Sequence, residues 1–147
     1  MSKPNHIKCL ETQTVGKHKV DVYIESLPSK CCLIAEKEFS FKVDGSTIQQ
    51  QCISPALMFR ILSVVDNSLL RFIANNVVAK LEQQIVFSYR ITIEAEGGTI
   101  EEINFKNKLY HQYLKRLQDK FNNKNDNICC FYNIGDNNHH NLIFSTL

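Results

Sequence analysis

The chain has 147 residues, 44% hydrophobic and 22% charged, a balance that excludes wholesale disorder and predicts one ordinary domain with its own core. Its 17 Lys and Arg stand against 15 Asp and Glu, so the net charge of +2 falls short of the basic excess that phosphate-driven nucleic-acid binding uses. Uncharged stretches such as Cys52 to Phe59 stop far short of the roughly 20 residues that span a bilayer, and Met1 to His6 has no apolar signal core, so the cytosol is the default location.

From Lys17 to Glu25 the chain alternates, with Val20, Val22 and Ile24 on one face and Lys19, Asp21 and Glu25 on the other, which predicts a half-buried strand with its acids in water. Ser26-Leu27-Pro28-Ser29 reads as a turn. Cys31 to Ala35 then forms a second strand, and Phe39, Phe41 and Val43 alternate with polar neighbours in a third. Asp44-Gly45 suits a two-residue hairpin turn, because both positions tolerate positive φ, and predicts a short return strand over Ser46 to Ile53.

Pro55 to Val65 reads two ways. Ser54-Pro55 can open a helix, while Leu57, Phe59, Ile61 and Val65 also alternate with Met58, Arg60 and Val64 as in a strand. After Asp66-Asn67-Ser68, a capping sequence, Leu69, Leu70, Ile73, Val77 and Leu81 recur at helical spacing through Glu82. Ile85 to Ala95 alternates as a long strand with Phe87, Tyr89, Ile91 and Ile93 inside, and Gly97-Gly98 ends it. Phe105, Leu109, Tyr113, Leu117 and Phe121 fall four apart and mark a second amphipathic helix.

That helix is basic outside. Ile103 to Lys124 holds five lysines and one arginine against one acid, whereas Glu82 to Glu102 carries five glutamates against Arg90. Asn122 to Asn127 reads as a polar spacer that does not pack. Beyond it, Ile128 to Ile134 and Leu142 to Leu147 pair as a hairpin around Gly135-Asp136-Asn137-Asn138. Strands and helices mix along the chain in one domain, to which residues 122–147 add the spacer and hairpin.

Six cysteines in a chain without an export signal read as thiols. The pairs Cys31-Cys32 and Cys129-Cys130, with His139-His140 after the second, invite a zinc site. Adjacent strand residues point to opposite faces and no C-x-x-C spacing occurs, so small buried hydrophobes in strands are the expected reading, with no metal and no cofactor. His139 and His140 are expected to be exposed in a polar loop. No Gly-rich phosphate loop, serine elbow or H-E-x-x-H motif is present, and no cysteine sits in a pKa-lowering context, so no catalytic residue is nominated.

Ser54-Pro55-Ala56-Leu57-Met58-Phe59-Arg60-Ile61-Leu62, followed by Asp66-Asn67-Ser68-Leu69-Leu70-Arg71-Phe72-Ile73-Ala74-Asn75-Asn76-Val77-Val78-Ala79, resembles one family: the small proteasome assembly chaperones. The likeness is to a proline-led strand, an acidic turn and an Ala-x-Asn-apolar-apolar-Ala helix, and is nearest the third chaperone. Upstream, Glu11 to Val15, Gly16, Val20 to Ser26 and Leu33 to Val43 follow the same order, and Ile85 to Tyr89 is similar to the fourth chaperone. The resemblance covers about residues 7–121; the tail after Phe121 and the acidic link Gly97 to Glu102 depart from it.

The resemblance implies that Pro55 to Val65 is a strand and that residues 1–121 form an α+β domain, an antiparallel sheet with both amphipathic helices packed against it. It also implies a non-enzymatic protein of cytoplasm and nucleus that pairs with a related small chaperone, binds 20S proteasome α subunits to order the α ring, and leaves before maturation. Lys108, Lys115, Arg116 and Lys120 on the basic helix are the candidate contacts with an α subunit. Neither nucleic acid nor membrane is an expected partner. The competing readings are an unrelated small α+β adaptor and a cytosolic thiol enzyme, the latter requiring one unusually reactive cysteine.

Overall fold

The computed structural model describes residues 7–29, 31–47, 54–94 and 100–146. Strands β1 (Ile7–Val15), β2 (His18–Ser26) and β3 (Ile34–Val43) form an antiparallel meander, and the two-residue β4 (Ser46–Thr47) folds back on the end of β3. Helix α1 (Pro55–Phe72) runs through a wider π-type turn (Ile73–Val77) into α2 (Val78–Glu82) and leads to β5 (Ser88–Glu94). Helix α3 (Ile100–Lys124) precedes a hairpin of β6 (Ile128–Ile134) and β7 (His139–Thr146). The strand order is β1-β2-β3-β5-β7-β6, antiparallel except for the parallel pair β3·β5, across which α1 and α2 make the crossover.

The expected α+β class and single domain hold, but the sheet, expected to be antiparallel, contains one parallel pair, and the helices number more than the two expected. Val20, Val22, Ile24, Phe39, Phe41, Val43, Tyr89, Ile91, Ile93, Leu142 and Phe144 point from the sheet into one core that the helices cover. Gly16, at φ 61°, makes the β1–β2 turn, and Asp44 and Gly45, at φ 51° and 80°, make the β3–β4 turn. The expected return strand is seen only as β4, because Ile48 to Ile53 lie outside the described residues.

Pro55 to Val65 is helix, not strand. Ser54 caps it, its Oγ accepting from the Leu57 N–H at 3.3 Å, and Pro55 sits at the first turn, where its missing N–H costs nothing. The buried set Met58, Ile61, Leu62, Val65 and Leu69 has helical spacing, and the strand reading had put Met58 and Ile61 on opposite faces. Asp66-Asn67-Ser68 consequently caps nothing and lies inside α1.

Other boundaries shift for local reasons. Cys31 to Leu33 is a turn closed by Ile34 N–H donating to Cys31 O at 3.1 Å, so the second and third expected strands are the single β3. Gln84, at φ 59°, ends α2, and Ile85 to Phe87 precede β5; Phe87, expected inside, is 58% exposed. Helix α3 begins before Asn104 and takes in Asn122 to Lys124, so half of the supposed non-packing spacer is helix. Asp21, expected in water, is buried on the outer sheet face, where its Oδ1 accepts from Thr12 Oγ1 at 2.6 Å across the β1–β2 pair.

Candidate functional site: a basic helix over a buried histidine network

Lys108, Lys115, Arg116 and Lys120 are all exposed on α3, spread over about 18 Å of helix at 1.5 Å per residue. The structure does not gather them into one patch. The positive charges of Lys120 and Arg116 act on Asp66 of α1, whose carboxyl burial nevertheless pushes above its ordinary value. One carboxylate oxygen of Asp66 is buried without a hydrogen bond. Lys106, counted on the basic face, is buried. Of the four candidates, Lys108 and Lys115, two turns apart on the outward side, are the pair whose charge is not directed at Asp66.

Asp66 thus sits where ionisation is disfavoured. Asp66→Asn is expected to raise stability at pH 7 by up to about 1 kcal/mol, read as a higher urea midpoint; a midpoint that falls would show that the two cations more than offset burial.

Under α3 lies a polar chain that the sequence reading missed. His140 of β7 is fully buried. Its Nε2 faces Asn107 Oδ1 at 2.8 Å and its Nδ1 faces the Tyr132 hydroxyl at 2.7 Å. Asn107 Nδ2 donates to Asn138 Oδ1 at 2.8 Å, which leaves Asn107 Oδ1 to accept. Nε2 of His140 therefore carries the proton, and Nδ1 accepts from Tyr132. Burial pushes the Tyr132 phenol up to about 12, so that proton stays available, and His111 Nδ1 lies 3.3 Å from the same oxygen. The Tyr132 ring stacks on His140 with centroids 6.0 Å apart, and Tyr110 meets it edge-on at 5.5 Å.

Burial first, and then the charges of His111 and His139, lower the His140 pKa to about 4. The group is a neutral strut joining α3 to the hairpin. The expectation of an exposed His139-His140 pair holds only loosely for His139, which is partly exposed with Nδ1 2.7 Å from Asp136 O. Alternation carried the missed signal: His140, Leu142 and Phe144 share one face of β7.

The cysteines divide. Cys9, Cys31 and Cys32 are exposed, so the reading of Cys31-Cys32 as buried strand hydrophobes is overturned; they stand on the turn before β3. Cys130 is buried in β6 with its thiol pushed up to about 12, while Cys129 faces the opposite side. Cys52 lies outside the described residues. Among the described residues no group of three His, Cys, Asp or Glu side chains is placed to hold a metal ion.

Two concavities accompany these features. A cleft of about 480 Å³ at one end of the sheet is lined by Leu81, Glu82, Gln84, Val86, Phe87 and Ile128 among others. A groove of about 350 Å³ runs between the π-type turn and the end of α3, with Leu70, Ile73 and Phe121 below and Lys120 and Lys124 beside it. Neither brings a nucleophile against a base. Among the described residues no helix is long and apolar enough to cross a membrane. No family model, curated protein or solved structure matches this chain.

Proposed function

We propose that the chain is a non-catalytic protein-binding module, and specifically a chaperone that pairs with a related small chaperone and binds 20S proteasome α subunits to promote α-ring assembly, leaving before maturation. The observation that carries this reading is the edge strand β1. It pairs with β2 on one side and with no described strand on the other, which offers a backbone ladder to a partner. The exposed Lys108 and Lys115 supply charge for a second, transient contact.

The helical Pro55 to Val65 favours a second reading, because the resemblance asks for a strand there: an unrelated small α+β adaptor. Affinity capture of the tagged protein from its own cytosol, at modest salt with mass-spectrometric identification, separates the two. Recovery of a small chaperone-like partner together with 20S α subunits, without mature proteasomes, supports the first; recovery of neither overturns it.

The surface assignment has its own test. Reversing all four cations would put new acids beside Asp66 and confuse binding with folding, so the cleaner variant is Lys108→Glu with Lys115→Glu. It is expected to weaken capture of an α subunit about tenfold at low salt while leaving the urea midpoint within about 0.5 kcal/mol of wild type. Unchanged capture removes α3 from the interface.

A further inference from the structure

Strand β6 is the other edge of the sheet, and its sequence, Ile128-Cys129-Cys130-Phe131-Tyr132-Asn133-Ile134, holds no charge and no proline. Such an edge is a template for pairing with another chain. Here it is covered from α3. Asn122 Nδ2 donates to Cys130 O at 2.9 Å while Asn122 Oδ1 accepts from Cys130 N–H at 2.8 Å, so one amide satisfies both backbone groups as a neighbouring strand would. One helical turn earlier, Gln118 Oε1 accepts from Tyr132 N–H at 2.7 Å.

The match is geometric. Four residues of helix rise about 6 Å and two residues of strand about 6.8 Å, so side chains four apart on α3 meet backbone groups two apart on the strand returning beside it. Gln118 Nε2 also donates to Asp119 Oδ1 at 3.2 Å, which fixes its amide with the oxygen toward the strand.

We propose that Gln118 and Asn122 hold the edge of β6 closed, and that the partner this edge fits when uncovered is β6 of a second copy of the chain. The choice of occupant follows from symmetry and charge. A two-fold axis through Phe131, the middle residue of β6, sets Cys130 of one copy opposite Tyr132 of the other, and these are the residues whose backbone groups the caps now occupy. The same axis brings the two copies of Phe131, 57% exposed, together on the outer sheet face beside Ile143. No like charges oppose one another. The proposal is independent of the chaperone reading, which uses β1.

The test is sedimentation velocity of the Gln118→Ala/Asn122→Ala variant of the full chain over a hundredfold concentration range. A shift from the wild-type coefficient toward a dimer as concentration rises, reversed when Phe131→Lys is added, is the expected result. A variant with wild-type far-UV circular dichroism and an unchanged coefficient throughout overturns the proposal. Should the double variant not fold, amide exchange in the single variants decides: Asn122→Ala should speed exchange at Cys130, and Gln118→Ala at Tyr132, each about tenfold and at that amide alone. Equal rates in wild type and variants overturn the caps.

Discussion

Removing residues 122–147 is expected to abolish folding rather than trim an appendage. β7 lies between β5 and β6, and its His140, Leu142 and Phe144 are wholly buried. Phe144 meets Phe121 of α3 edge-on with ring centroids 5.1 Å apart. Losing the strand removes three core side chains worth about 2–5 kcal/mol each and strips β5 of its second neighbour, against a total stability of about 5–15 kcal/mol. The shortened chain should give no cooperative urea transition, whereas Phe144→Ala in the full chain should fold and lose about 3–5 kcal/mol. A cooperative transition from residues 1–121 alone would refute this and make the hairpin dispensable.

Acidification should act through His140. Its folded pKa, about 4, is depressed below the ordinary 6.5, so the unfolded chain takes up the proton first. The stabilisation is fully present above pH 6.5 and drains away as pH falls toward 4, amounting to at most about 3 kcal/mol at 1.36 kcal/mol per unit. Urea midpoints measured from pH 7.5 to 4.5 should decline steadily, and His140→Gln, which keeps a donor and an acceptor but does not titrate, should flatten that slope while lowering the midpoint at pH 7. An equally steep slope in the variant would exclude His140 as the cause. Glu11 contributes later. Its hydrogen bonds from Arg71 hold its carboxyl at about 2, so its share is present above pH 4.5 and is lost below it. Both partners are partly exposed, which limits that share to about 1 kcal/mol.

The strands and helices whose periodicity is unmixed were legible: β2, the second half of β3, β5, α3 and the hairpin. Pro55 to Val65 was not, because apolar residues on nearly every position satisfy both periods; the deciding residues were Ser54 and Pro55, which supply a cap and a compatible first turn. The basic face of α3 was visible as composition, but nothing in the sequence put Asp66 within reach of Arg116 and Lys120, a long-range consequence of α1 crossing to α3. His140 and Asn122 were misread for one reason. Asparagine-rich surroundings suggest solvent, yet each side chain satisfies hydrogen-bonding groups brought close only by tertiary packing.

Strand order also bears on how the molecule assembles. The β1–β2, β2–β3 and β6–β7 pairings join neighbours in the chain and close short loops. β3·β5 must wait for α1 and α2, and β5·β7 for α3 and β6. Loop closure is spent on these two central pairings before burial repays it, and they decide whether the two halves of the sheet meet at all. Until β7 inserts, β5 has one finished side and one raw one, an unpaired backbone ladder in the middle of the eventual sheet that is open to the wrong neighbour.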